Sequence, residues 1–199
     1  MTKIKICGVT RIEEIDYINK FKPEYIGFIF AKSKRQVSLD TAIRLRHRLS
    51  KEIKSVGVFA DQEIEKVEKI AQKVGLDVLQ FHGQEDRSYI NHFKEYEVWK
   101  AILVSNKREL FKMYPYKNIR LLFDSEQGGS GKPFDWNIIK KCHLEKQIIL
   151  AGGLDCDNVV EAIQKLHPFA VDVSSGVETN GVKDAQKVKK FIKKVREFS

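Results

Sequence analysis

The chain has 199 residues, 42% of them hydrophobic, a length that fits one domain or two small ones and buries a core without staples. Its net charge of +9 would suit nucleic acid or anionic metabolites. Much of that charge gathers at the end, where Lys183, Lys187, Lys189, Lys190, Lys193 and Lys194 alternate with Val188, Phe191, Ile192 and Val195 at helical spacing and read as a solvated outer face. No aromatic-plus-basic platform for single-stranded nucleic acid stands out. No apolar run approaches membrane-spanning length and no signal-peptide core leads the chain. Cys7, Cys142 and Cys156 form no close pair, which argues against a disulfide framework or zinc cluster and for a reducing, cytoplasmic setting.

Ile4 to Cys7 read as a first strand ending at Gly8. Thr10 and Glu13 read as a capping box for a helix carrying Ile12, Ile15, Tyr17 and Ile18. After Pro23, Tyr25 to Phe30 is a second strand, and the basic loop Lys32-Ser33-Lys34-Arg35 follows. Ser38 or Asp40 opens the second helix. Ser55 to Phe59 is strand three, with Asp61 expected to cap its helix and Gly75 to end it. Val78 to Phe81 is strand four, stopping at His82 and Gly83 before a weaker helix over roughly Asp86 to Phe93. Val98 to Val104 is strand five, and Ser105 caps a helix that runs through Leu110 and Met113 to Pro115. Ile119 to Phe123 is strand six, ending at Asp124. The longest glycine-rich loop, Gln127 to Pro133, precedes a short helix near Asp135. Ile148 to Ala151 is strand seven, with Val159, Ile163 and Leu166 on its helix. Val171 lies in strand eight, and the lysine-bearing helix from about Asp184 closes the chain.

Eight strand–helix pairs at a period of roughly 25 residues predict a parallel sheet. An open doubly wound sheet normally needs fewer strands and carries a glycine fingerprint after strand one. Here Cys7-Gly8 stands in that place and no G-x-G-x-x-G follows. The expected fold is therefore α/β, a single (β/α)8 TIM barrel over residues 1–199.

In such a barrel the site lies where strands run into their helices. The polar groups at those ends are Cys7, Arg35, His82, Asp124, the Gly129 loop, Gly153 and Ser174-Ser175. Two loops suit an anion: Ala151-Gly152-Gly153-Leu154-Asp155 after strand seven, and Ser174-Ser175-Gly176 after strand eight. Their small residues let N–H and O–H groups approach a phosphate. Cys7 can take a proton as a thiolate, although an isolated cysteine is more commonly a small buried hydrophobe. Asp124 ends the apolar run Leu121-Leu122-Phe123, so its carboxyl can hold a raised pKa and act as an acid, or simply cap its loop. Arg35 can clamp an anion or remain a solvated loop charge. His82 is the one histidine at a strand end; His47, His92, His143 and His167 fall on helices or connections, and no metal constellation forms. These residues point to a cofactor-free, metal-free barrel enzyme on a phosphorylated small molecule, with proton transfer ahead of redox or hydrolysis.

At these positions the sequence resembles the phosphoribosylanthranilate isomerase family of tryptophan biosynthesis, over essentially the whole chain. The matching segments include Lys5-Ile6-Cys7-Gly8-Val9-Thr10, Ser33-Lys34-Arg35, Leu79-Gln80-Phe81-His82-Gly83, and Gly128-Gly129-Ser130-Gly131-Lys132-Pro133-Phe134-Asp135-Trp136. Ala151-Gly152-Gly153-Leu154 and Val171-Asp172-Val173-Ser174-Ser175-Gly176-Val177-Glu178 complete them. The resemblance implies an Amadori rearrangement of an N-phosphoribosyl aldosylamine to a ketosamine. It assigns Cys7 as general base, Asp124 as general acid and Arg35 to the anthranilate carboxylate. Gly153, Ser174, Ser175 and Gly176 match the phosphate site, and His82, Gly129, Gly131 and Asp172 are further substrate contacts. Where the family has an extra residue, often with a proline, this chain passes directly through Ala31-Lys32-Ser33, and the loop after Asp124 is short before its glycines.

The nearest rival is another phosphosugar isomerase on the same fold, such as the histidine-pathway aminoaldose isomerase, which uses a carboxylate base on strand one where this chain has Cys7. A metal-dependent pentose-phosphate epimerase lacks its ligand histidines here, and an RNA-binding barrel would leave both proton-transfer groups without purpose. The outer helices show no contiguous apolar patch, so a monomer is expected, with a homodimer as the alternative.

Overall fold

Successive strand residues face opposite sides, so each strand of a closed barrel divides its side chains between the interior and the surrounding helices. The computed structural model describes residues 1–104, 107–116, 119–125, 135–140 and 148–199, with the backbone alone at Lys107, Glu109, Tyr114 and Lys140. Its parallel strands are β1 (Lys3–Cys7), β2 (Tyr25–Ile29), β3 (Lys54–Phe59), β4 (Val78–Phe81), β5 (Glu97–Val104), β6 (Arg120–Ser125), β7 (Ile148–Leu150) and β8 (Ala170–Val173). They pair in chain order and β8 closes onto β1, with Lys5 opposite Asp172 and Ile6 opposite Val173. The expected barrel is the observed one.

On β1, Ile4 and Ile6 pack outward into the core beneath the helices. Lys3, Lys5 and Cys7 take the opposite parity and face the interior. The lower interior is filled by Tyr25, Val56, Val78, Trp99, Leu122, Ile149 and Ala170. The Tyr25 and Trp99 rings meet edge-on at 4.9 Å, and the Arg120 guanidinium lies over the Phe169 ring at 3.4 Å. These side chains form a floor; the polar interior positions lie above it, toward the C-terminal ends of the strands.

The helices are α1 (Ile12–Phe21), α2 (Leu39–Arg48), α3 (Ile64–Val74), α4 (Arg87–Asn91), α5 (Asn137–Lys140), α6 (Val159–Leu166) and α7 (Ala185–Glu197). Ser38 caps α2 by accepting from the Thr41 N–H, and Gly75 ends α3 with φ of 69°. Two expected caps differ. Glu14, not Glu13, serves α1, its carboxylate accepting from the Thr10 and Arg11 N–H groups at 2.6 and 3.1 Å. Asp61 does not cap α3; its carboxylate accepts from the Gln84 N–H across the barrel mouth. The segment after β5 is a 3-10 helix, Lys107–Tyr116, with Pro115 inside it, and the expected Ser105 cap lies outside the described residues. Strand six runs two residues further than expected, through Asp124 to Ser125, because Asp124 still pairs with Leu103.

One element was not foreseen. Between β8 and α7 a short antiparallel hairpin forms, β9 (Glu178–Thr179) and β10 (Val182–Lys183). Lys183 belongs to it rather than to the final helix. Its backbone N–H donates to Glu14 at 3.1 Å and its carbonyl accepts from Tyr17 at 2.7 Å, so its side chain is turned inward and buried. Lys187, Lys189, Lys190 and Lys193 do form a solvated face. Among the described residues no helix is long and apolar enough to cross a membrane.

Candidate active site

Above the floor lies a cavity of about 360 Å³. Cys7, Arg35, His82, Asp124, Gly153, Asp172, Ser174 and Ser175 line it together with Gln80, Lys32, Ser33 and Gly152. The strand parity explains the convergence: Gln80 and His82, Asp172 and Ser174, and Lys5 and Cys7 are successive inward positions of β4, β8 and β1. The shorter loop after Phe30 still brings Arg35 to the wall. Gly129 and Gly131 lie outside the described residues.

Asp124 sits at the end of β6 with its side chain 18% exposed. Burial and then the Asp172 charge push its pKa up to about 6, against the Ser125 N–H, which donates to Oδ1 at 2.7 Å, and Lys5. A carboxyl so placed is a proton donor near neutrality. His82 Nε2 stands 3.6 Å from Asp124 Oδ2. Burial, Lys5 and Lys100 pull the imidazole down to about 4, so it is neutral at working pH. Cys7 is buried; burial raises its thiol pKa, opposed chiefly by Lys5. Lys5 is itself fully buried and donates to Asp172 Oδ2 at 2.7 Å. Burial works against its charge, yet Asp172 and then Cys7 hold the ammonium above its ordinary value.

The two small-residue loops are tied to each other and to Cys7. Gly152 and Gly153 have φ of 81° and 67°, left-handed values that favour glycine. A Cβ on Gly152 would stand 2.8 Å from Asp124 Oδ1, so the glycine also makes room for that carboxyl. Gly176 does not line the cavity. It bridges to Asp155, and a Cβ there would meet the Leu154 carbonyl at 2.0 Å, so its role is to let the two loops touch. Ser174 Oγ donates to the Cys7 carbonyl at 3.1 Å, and Lys183 Nζ reaches the Ser174 carbonyl at 3.2 Å.

Arg35 donates through Nε and Nη2 to both oxygens of Glu178, each at 2.6 Å. Lys183 Nζ is the second partner of that carboxylate. The Nη1–Nη2 edge of Arg35 remains for another carboxylate. Asp172 Oδ1 and Gln80 Oε1 are buried with no partner among the described residues. Buried acceptors of this kind carry a desolvation cost that a ligand hydroxyl would relieve.

A model of the N-(5'-phosphoribosyl)anthranilate (PRA) isomerase family matches residues 4–194. The chain belongs to the N-(5'-phosphoribosyl)anthranilate isomerase family. A member from Thermoanaerobacter sp. (strain X514) is 52% identical over 200 residues, 98% of each chain. The crystal structure of the phosphoribosyl anthranilate isomerase from Thermotoga maritima superposes with a TM-score of 0.92 at 38% identity, covering 99% of this chain and 100% of that one. Another solved phosphoribosyl anthranilate isomerase, in complex with reduced 1-(o-carboxyphenylamino)-1-deoxyribulose 5-phosphate, matches with a TM-score of 0.90 at 36% identity over 99% and 100% of the two chains. The isomerase activity and the place in tryptophan biosynthesis expected from the resemblance hold.

Within this isomerase site, four contributors were not singled out from the sequence: Lys5, Gln80, Glu178 and Lys183. Lys5 and Gln80 carried a signal, since each precedes a chosen residue by two positions in an otherwise apolar strand. Glu178 and Lys183 carried none, because the hairpin that joins them is two residues wide.

Proposed function

We propose that the cavity binds the aldosylamine N-(5'-phosphoribosyl)anthranilate in one orientation. The phosphate rests against Gly153 and the Ser174-Ser175 backbone, with Gly176 holding that loop in place. The anthranilate carboxylate takes the free edge of Arg35. The sugar lies between, its hydroxyls donating to Asp172 and Gln80, with His82 beside the acid.

Asp124 donates its proton to the ribose ring oxygen; the C1'–O bond breaks and an iminium forms between C1' and nitrogen. The Cys7 thiolate then takes the C2' proton. The C–H pair becomes the C1'=C2' bond, and the iminium pair returns to nitrogen. The resulting enolamine, which is also an enol at C2', tautomerises to the ketone. One base and one acid suffice, the acid titrating near working pH and the thiol pushed up by burial against the pull of Lys5. The observation that carries this reading is that Cys7 and Asp124, on strands separated only by β7 and β8, line one cavity.

Cys7→Ala and Asp124→Asn should each abolish turnover, followed by the loss of anthranilate fluorescence, while substrate still binds. Full activity in Cys7→Ala would remove the base assignment. Activity on the histidine-pathway substrate would overturn single-substrate specificity. A monomer in the cytoplasm is the state we propose, with a homodimer as the alternative; the exposed large apolar side chains among the described residues are Met1, Ile12, Phe111 and Phe198. Sedimentation would separate the two states.

A further inference from the structure

Lys5 has no part in the chemistry described so far, yet it lies fully buried directly beneath the cavity, one pleat below Cys7. Cys7 pairs in register with Gly27 on β2, and a Cβ on Gly27 would stand 2.7 Å from Cys7 Sγ and 3.3 Å from Lys5 Cε. The thiol and the lysine stem therefore share the space opened by one missing side chain. The Lys5 ammonium has three N–H donors, and Asp172 Oδ2 takes one at 2.7 Å.

We propose that Lys5 is the positioning residue that makes Cys7 usable as a base: its buried ammonium is the counter-charge of the thiolate, and Asp172 holds it there. This rests on the reading of Cys7 as general base. The other charges facing the pair are Lys183 on β10, Glu178 on β9 and Arg35 after β2, with Asp124 and His82 across the mouth on β6 and beyond β4. While Asp124 is protonated, Lys5, Arg35 and Lys183 thus meet the carboxylates Asp172 and Glu178, a surplus of one positive charge that a thiolate balances. Burial alone would hold the thiol protonated; Lys5 is the largest influence against it, and Lys183 a smaller one. When the thiolate takes the C2' proton its charge vanishes, and Lys5 is left with Asp172, so neither the reactant nor the product state strands a buried cation.

The test is the pH dependence of iodoacetamide alkylation at Cys7, read by peptide mass, with kcat/KM measured in parallel. Lys5→Met should move the alkylation midpoint up by about one pH unit or more and lower kcat/KM at neutral pH about tenfold, mostly in kcat. Because Lys5→Met leaves Asp172 buried without its partner, Lys5→Met/Asp172→Asn is compared with Asp172→Asn alone, and the same upward shift is expected. Lys5→Arg should recover part of the activity. An unchanged alkylation midpoint in the folded double variant would overturn the proposal. A shifted midpoint together with an active Cys7→Ala would leave the ion pair standing and remove the base assignment instead.

Discussion

His82 Nε2 lies 3.6 Å from Asp124 Oδ2, and the pKa values of the two groups are displaced in opposite directions, to about 4 and about 6. Gln80 Nε2 stands 3.2 Å from the other ring nitrogen. Between pH 4 and 6 the native pair is therefore a neutral imidazole beside a largely protonated carboxyl.

This arrangement sets two opposing slopes of stability against pH. His82 has a folded pKa below its ordinary 6.5, so the unfolded chain binds the extra proton and stability rises with pH through that window. Asp124 has a folded pKa above its ordinary 3.8, so the folded chain binds the extra proton and stability falls as pH rises toward 6. Each effect is about 3 kcal/mol at most and they nearly cancel. Relative to the parent, His82→Gln should gain stability at pH 4.5 and Asp124→Asn should gain it at pH 7. Urea denaturation at the two pH values reads this directly: the gain should shrink from pH 4.5 to pH 7 in His82→Gln and grow in Asp124→Asn, and a change in the same direction in both variants would contradict it.

Asp124→Asn carries a second expectation. An enzyme that loses turnover while becoming more stable at neutral pH shows that a carboxyl of raised pKa is held in the site at a cost to the fold. Loss of both stability and turnover would place Asp124 in a structural role.

Glu178 aligns Arg35 from behind, and it is also the partner of buried Lys183. Glu178→Gln should raise KM several-fold with a smaller change in kcat, since it loosens Arg35, the proposed clamp on the anthranilate carboxylate, without replacing Cys7 or Asp124. Removing half of a buried charge pair should also cost about 3–5 kcal/mol, visible as a lower urea midpoint. A KM unchanged from the parent would detach Arg35 from carboxylate binding.

Gly152→Ala forces a side chain into a left-handed backbone and against Asp124 Oδ1. It should cost about 1–3 kcal/mol and cut kcat, with the acid limb of the pH–rate profile displaced. At the other end of the barrel, Trp99 is fully buried, and its indole N–H donates to Glu97 at 3.0 Å. Trp99→Ala should lower stability by about 3–5 kcal/mol and leave the pH–rate profile unmoved. A displaced profile there would mean that floor and mouth are coupled.

Cys7, His82, Asp124 and Ser174 were legible because each stands where an apolar strand stops, and the fold puts all such stops at one mouth. Lys5, Gln80 and Asp172 lie one pleat lower, where the sequence shows a polar residue in an apolar strand but not what it faces. The register between β1 and β8 supplies that, pairing Lys5 with Asp172. Lys183 was misread because its spacing to Lys187, Lys190 and Lys194 is helical; hydrogen bonds from Tyr17 and to Glu14, 166 and 169 residues away, turn it inward. Local periodicity does not encode contacts of that range.

Among the described residues, the aromatic and aliphatic plug beneath the site, from Tyr25 and Trp99 to Ile149 and Ala170, leaves the barrel interior open at its mouth alone. Nothing can pass through from below. In the proposed binding mode the ketosamine backs out along the route by which the aldosylamine entered, past Arg35 and the Ser174 loop. Substrate and product consequently share one threshold, so each turnover must clear it before the next can begin.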